Sequence, residues 1–232
     1  MTVTADGVSV ILIVRNGERF IGEALDSVRQ QSLQPLEVLV IDGQSTDATV
    51  EIARAFPGVT IVPQRTLGIA NAYNEGIALA RGALIAFISH DDRWLPNKLE
   101  AQASFLARHP DVMLTVTHVQ HVLEYGATPP AGFRVELLDQ PVPGLIMETL
   151  VVRREVFDRV GLFDPSFPVG EDTDWFARVK DAGVRMAVLP ETLVTKRVHG
   201  TNASLANPAI NTLLLRALRS SIERKRAATT DA

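Results

Sequence analysis

The 232-residue chain contains no cysteine, which removes disulfide frameworks and thiolate metal sites together. Any metal would have to be held by carboxylate or imidazole, a donor set that favours hard cations. A basic excess is missing as well: 23 Lys and Arg stand against 27 Asp and Glu, for a formal charge of −4, so nucleic acid is not expected as the main partner. Long apolar runs are also absent. Val10–Val14 and Ala83–Ile88 are the longest, far short of a bilayer span, and no basic stretch precedes the first apolar segment in Met1–Gly7 as a secretory leader would require. The expectation is a cytoplasmic protein without a membrane span. No G-x-G-x-x-G follows the first apolar segment, which argues against a nicotinamide dehydrogenase.

The chain is 46% hydrophobic, enough for a substantial core in one domain or slightly more. Val8–Val14 is almost continuously apolar, β-branched and closed by Asn16-Gly17, the pattern of a strand buried on both faces of a parallel sheet. Helical spacing of Phe20, Ala24, Leu25 and Val28 follows, then an apolar strand Leu36–Ile41, a helix marked by Val50, Ala53 and Phe56, and a strand Val59–Val62. A helix Ile69–Ala80 and a strand Leu84–Ile88, separated at Gly82, complete a doubly wound β/α alternation.

Beyond Pro96 the rhythm is less regular: a helix Lys98–Arg108, a strand near Val112–Val119, a loop rich in Pro and Gly from Gly126 to Gly144, and a strand Leu145–Val152. A helix Asp172–Ala182 and strands Val184–Leu189 and Leu193–Val198 come next. Pro208–Arg226 places Ile210, Leu213, Leu214, Ala217 and Leu218 on one face, with Arg216, Arg219, Arg224, Lys225 and Arg226 supplying positive charge. That segment is read as a basic amphipathic helix at the head of a tail, suited to an anionic lipid surface, to a second subunit in a homodimer, or to packing on the domain.

Ligands of open α/β sheets bind beyond the carboxyl ends of the strands, and two such ends carry acids: Asp42-Gly43-Gln44-Ser45-Thr46-Asp47 and Ser89-His90-Asp91-Asp92. Turn and capping chemistry explains Asp47 as a helix N-cap and is open for Asp42. Adjacent carboxylates at a strand end are costly unless a cation or hydroxyl groups lie between them; a solvated loop is the alternative for Asp91-Asp92. Glu171-Asp172-Thr173-Asp174 opens a helix, where acids complement the macrodipole and where Asp172 could serve as a general base. Trp94 and Trp175 neighbour the acidic motifs, with core packing the expected role.

Taken in order, V-S-V-I-L-I-V-R-N, V-L-V-I-D-G-Q-S-T-D-A-T, G-I-A-N-A-Y-N-E-G-I-A-L-A-R-G and F-I-S-H-D-D resemble the nucleotide-binding half of family-2 glycosyltransferases. R-R-E-V-F-D-R-V-G-L-F-D, G-E-D-T-D-W and R-V-H-G-T-N-A-S resemble the acceptor half, so the likeness runs from Val8 to Ser204. The resemblance implies an α/β fold of GT-A type, a Rossmann-like sandwich with a mostly parallel central sheet flanked by helices. It implies one domain over 1–206, with nucleotide-binding (1–95) and acceptor (96–206) halves, ahead of the basic helix and tail at 207–232.

The implied activity is inverting transfer of a single sugar from a nucleoside diphosphate sugar, UDP foremost, to an acceptor hydroxyl of a glycan, lipid-linked or small molecule. By the same resemblance Asp42 bonds the base with Val14, Arg15 and Asn16 framing its pocket, Asp91 meets the ribose, and Asp92 holds Mn²⁺ or Mg²⁺ with His199 nearby. Asp172 is the base and Glu171 orients the acceptor. Ser89, His90 and Tyr73 depart from the family pattern, Tyr73 standing where Arg is frequent, with Arg65 as a substitute for contacts to base or phosphate. A sugar nucleotidyltransferase, which should carry a glycine-rich basic loop near Val8–Phe20, and a non-catalytic nucleotide-sugar-binding protein are the competing readings.

Overall fold

A computed structural model describes residues 7–200, 202 and 210–230. The expected domain edge at 206, the start of the last helix at Pro208 and three residues of the R-V-H-G-T-N-A-S motif lie outside the described residues.

β1 (Val8–Val14), β2 (Glu37–Asp42), β3 (Val59–Pro63) and β4 (Leu84–Ser89) pair in parallel in the order β3-β2-β1-β4. Their side chains alternate between two cores. Ile11 joins one cluster with Leu39, Ile41 and Phe87, while Val10, Leu12 and Val14 join the other with Val40 and Ile88, so a near-continuous apolar run is what two covered faces require. α1 (Ile21–Arg29) and α4 (Lys98–Arg108) cover one face through Ala24, Leu25, Leu99 and Ala103. α3 (Ile69–Leu79) covers the other and comes close because Gly76 has no side chain: a Cβ there would lie 2.5 Å from Ile11 Cγ2. α2 (Thr49–Arg54) is short, and Asp47 helps start it by accepting the Thr49 N–H at 3.0 Å.

The second half departs from a mostly parallel sheet. β5 (Arg93–Trp94), β6 (Leu114–Leu123), β7 (Val142–Pro143), β8 (Val151–Arg153) and β9 (Met186–Val198) extend the sheet to nine strands. β8 runs antiparallel to β4 and β6, β5 antiparallel to β9 and β7 antiparallel to β6, while β6 and β9 are parallel. The fold class stands, as a mixed sheet with helices on both faces. The expected strand Leu145–Val152 is instead a 3-10 turn, Met147–Thr149, followed by the short β8; the Thr149 hydroxyl donates to Gly144 O and Ile146 O and locks that turn. The two expected final strands are one: Leu189 pairs with Thr117 and Thr192 with His118, so Pro190 and Glu191 bulge out of a continuous β9, the place where a residue without an N–H is tolerated.

α5 (Glu155–Val160) and α6 (Glu171–Asp181) follow β8, and Trp175, fully buried, packs among Phe157, Phe163 and Phe176. Trp94 is buried in the opposite core, so both tryptophans are packing residues. α7 (Ile210–Thr230) lies on α6 through Ala217, Ser221 and Arg224, the last two bonded to Asp181. Its buried face is thus offset from the expected one, leaving Leu214, Leu215, Leu218 and Ile222 exposed.

Candidate active site

The carboxyl ends of the parallel strands share one level, since Val14 pairs with Asp42 and Ile13 with Ser89. β1 lies between β2 and β4, where the chain order reverses and crossover helices diverge to opposite faces, the usual place for a crevice. Two non-glycine residues there adopt left-handed backbone, Asn16 (φ 53°) and Gln44 (φ 62°), a conformation that surrounding contacts must hold. They do: Ser45 Oγ accepts the Asn16 N–H at 2.8 Å, and Asn16 Oδ1 accepts the Thr46 N–H at 2.9 Å. Gly43 allows the two loops to approach, for a Cβ there would meet Arg15 Cβ at 3.1 Å and Val14 O at 3.3 Å.

The result is a cavity of about 800 Å³. Val14, Arg15 and Asn16 line it, together with Asp91 and His199 and with Glu171 and Asp172. Asp42 sits one residue behind the lining Gly43; its carboxylate accepts the Ser45 N–H. Glu171 and Asp172 are brought there by the start of α6, where Gly170 (φ 77°) turns the chain into the helix. Burial raises the Asp172 carboxyl to about 6, opposed by the Thr173 N–H and by Lys196 and reinforced by Glu148. Burial, then the Asp172 charge, raises Glu171 further.

Asp91 and Asp92, adjacent in sequence, have different surroundings. Asp91 Oδ2 lies 2.9 Å from His199 Nε2 and accepts Asn202 Nδ2 at 3.2 Å. Burial would raise its carboxyl, but the His199 bond and the Lys196 charge hold it well below the usual range. Asp92 does not line the cavity. β5 pairs with β9 and sets Asp92 beside residues 196 and 197, so Lys196 Nζ donates to Oδ2 and the Arg197 N–H to Oδ1, each at 2.8 Å. Both Asp92 oxygens, expected to face a cation, are thus engaged by protein donors, Oδ2 in an ion pair with Lys196 and Oδ1 with the Arg197 backbone N–H. Burial opposes the Lys196 charge, yet Asp92 and Glu148 carry that lysine well above its ordinary value.

Arg65 also falls outside the lining: its side chain is on an exposed loop, and its backbone N–H is taken by Glu75 at 3.0 Å. Sequence reasoning missed Glu148 and Lys196, which line the cavity. A lone acid inside the apolar stretch Leu145–Val152 was the available signal for Glu148, since a buried carboxylate needs a reason to be there. His90 and Tyr73 line the cavity too. Burial lowers the His90 imidazole, and burial followed by the charges of Glu148, Glu171 and Asp172 pushes the Tyr73 hydroxyl well above its usual value.

The glycosyl transferase family 2 pattern matches residues 9–161. The chain belongs to that family. A glycosyltransferase of Rickettsia typhi is 30% identical over 220 residues, covering 89% of this chain and 68% of the relative. A Mycobacterium tuberculosis protein is 32% identical over 205 residues, 82% of this chain and 58% of that one. Among solved structures, S. aureus TarS 1-349 in complex with UDP-GlcNAc matches with a TM-score of 0.75 at 18% identity, over 94% of this chain and 66% of that chain. The complex of the same TarS fragment with UDP gives a TM-score of 0.71 at 20% identity, over 93% and 65%. At such identity the likeness establishes the GT-A-like fold, and the chain spans only about two thirds of the TarS fragment's length.

Proposed function

We propose that the chain transfers a single sugar from a nucleoside diphosphate sugar to an acceptor hydroxyl, with inversion at the anomeric carbon. One observation carries the reading: Asp91 with His199 and Glu171 with Asp172 line the same cavity as Val14, Arg15 and Asn16. That spacing suits a base against the ends of β1 and β2, near Asp42, a diphosphate near Asp91 and His199, and a sugar directed toward α6. The TarS complexes with UDP and UDP-GlcNAc favour a uridine donor here too.

Asp91 and His199 are the pair suited to hold Mn²⁺ or Mg²⁺. A carboxylate and an imidazole nitrogen within 2.9 Å of each other on the cavity wall fit a hard cation that takes its remaining ligands from phosphate oxygens. Among the described residues no group of three His, Cys, Asp or Glu that could hold a metal ion is present. When bound, the cation supplies positive charge against the diphosphate leaving group.

Asp172 is the base, and its raised carboxyl suits proton abstraction near neutral pH. The acceptor O–H proton passes to Asp172, the acceptor oxygen forms its bond to the anomeric carbon, and the bond from that carbon to the diphosphate oxygen breaks. No covalent enzyme intermediate is needed. Glu171 orients the acceptor. The exposed apolar stripe of α7 beside Arg219 and Arg226 supports contact with an anionic lipid surface.

A thermal-shift screen of nucleoside diphosphates and their sugars with Mn²⁺ tests the reading, because a ligand of the folded state raises the melting temperature. Stabilisation by UDP and UDP-sugars is expected; no response to any nucleotide would overturn it.

A further inference from the structure

The cavity holds one carboxylate that this mechanism leaves unused. Glu148 lies in the 3-10 turn Met147–Thr149, lines the cavity and is only 5% exposed. Its Oε1 accepts the Ser89 hydroxyl at 2.5 Å and lies 3.5 Å from Lys196 Nζ. The turn is fixed from behind, where the Trp94 indole N–H donates to Glu148 O at 2.9 Å and the Thr149 hydroxyl closes on Gly144 and Ile146. Oε2, in contrast, has no hydrogen-bond partner among the described residues.

A carboxylate oxygen without a donor is costly away from water. A rigid turn holding that oxygen at a cavity wall is therefore suited to a ligand that brings a donor. Its position narrows the ligand. Ser89 sits two residues before Asp91, and Lys196 joins Glu148 to Asp92, so Glu148 stands beside the wall given above to the diphosphate. Through its charge it also reaches Asp172 and Glu171 on the wall given to the acceptor. A phosphate would be repelled there, whereas a sugar hydroxyl or amide N–H supplies a hydrogen.

We infer that Glu148 is a specificity-determining residue for the donor, its open oxygen accepting a hydrogen bond from a hydroxyl or amide of the transferred sugar while Ser89 and Lys196 hold the other oxygen in place. This rests on the nucleotide-sugar reading above and adds the contact that distinguishes one sugar from another. Tyr73, which lines the same cavity as Ser89, supports the arrangement from α3.

Calorimetric titration with Mn²⁺ of the wild type, Glu148→Gln and Glu148→Ala tests it, using UDP alone and then UDP-glucose, UDP-galactose and UDP-GlcNAc. Both variants should keep UDP affinity within about twofold yet lose about tenfold or more for the preferred UDP-sugar, the scale of one hydrogen bond to a charged group, and discriminate less among the three. Gln retains the shape and the Ser89 bond, so its melting temperature should stay near wild type and separate recognition from folding. Equal losses for UDP and UDP-sugars would make Glu148 a wall support and overturn the inference, as would unchanged sugar affinity. A loss of Mn²⁺ binding without nucleotide would overturn it in favour of a metal ligand. If the wild type binds UDP but gains nothing from any sugar, this inference fails alone; if it binds no nucleotide, the nucleotide-sugar reading fails with it.

Discussion

Removing Lys196 should cost the fold far more than removing Asp92, although the two form one ion pair. The Asp92 side chain is wholly buried, whereas the Lys196 side chain keeps 23% exposure and has Glu148 as a second partner at 3.5 Å. In Lys196→Met the buried carboxylate keeps only the Arg197 N–H. Above about pH 8, where the wild-type carboxylate is ionised, a buried charge stripped of its partner typically costs about 3–5 kcal/mol. In Asp92→Asn the lysine can turn to Glu148 and cavity water, and the amide still accepts the Arg197 N–H, so a loss of about 1–2 kcal/mol is expected. The pH dependence carries the same logic.

Burial already raises the Asp92 carboxyl to about 8, against its 3.8 reference, and loss of Lys196 raises it further. A raised carboxyl favours the protonated folded state, so up to about pH 8 both folded proteins hold that proton and the Lys196→Met deficit stays level. It grows as pH rises above 8, where the wild type releases the proton that the variant still holds, at no more than about 1.4 kcal/mol per pH unit for the one proton. Urea denaturation followed by circular dichroism at several pH values measures this. Equal costs for the two variants above pH 8, or a Lys196→Met deficit that does not grow there, would refute the assignment of Asp92 to a buried structural pair.

Asp172→Asn should bind UDP and UDP-sugars as the wild type does but lose transfer or donor hydrolysis by about 100-fold or more; full turnover would remove Asp172 from the chemistry. Because Asp172 must be ionised to act and its carboxyl is raised to about 6 amid Glu171, Glu148, Tyr73 and Lys196, the wild-type rate should climb with pH through that region. A flat profile from pH 5 to 7.5 would contradict it. Gly76→Val should destabilise the protein by about 1–3 kcal/mol or more by overpacking α3 against Ile11, read as a fall in the denaturation midpoint. Vesicles with anionic phospholipid should sediment the protein and neutral vesicles should not, with Leu215→Glu abolishing the difference; equal behaviour would leave the stripe of α7 without a lipid role.

The first half of the fold was legible because β1, β2 and β4 are buried on both faces and their helices on one, so hydrophobic period separates them. In the second half the same signal misleads. Leu145–Val152 is apolar enough for a strand, but hydrogen bonds from Thr149 close it into a turn, and Pro190 with Glu191 interrupts a strand that pairing with β6 keeps whole. At the site, motif order indicated that β1, β4 and α6 would contribute, and Val14–Asn16, Asp91, His199, Glu171 and Asp172 do line one cavity. Resemblance alone divided Asp91 from Asp92 in the sequence, giving the ribose to one and the cation to the other, with no sign of their different surroundings. Neighbours on a turn differ in direction, and only the long-range pairing of β5 with β9 delivers Lys196 to one of them.

The central claim is that the cavity takes a nucleoside diphosphate against Asp91 and His199. Calorimetric titration of UDP into the wild type, Asp91→Asn and Asp92→Asn, with Mn²⁺ and with EDTA, tests it most directly. Mn²⁺-supported binding should appear in the wild type, persist in Asp92→Asn and disappear in Asp91→Asn. Identical binding in all three proteins, with or without the cation, would contradict the account.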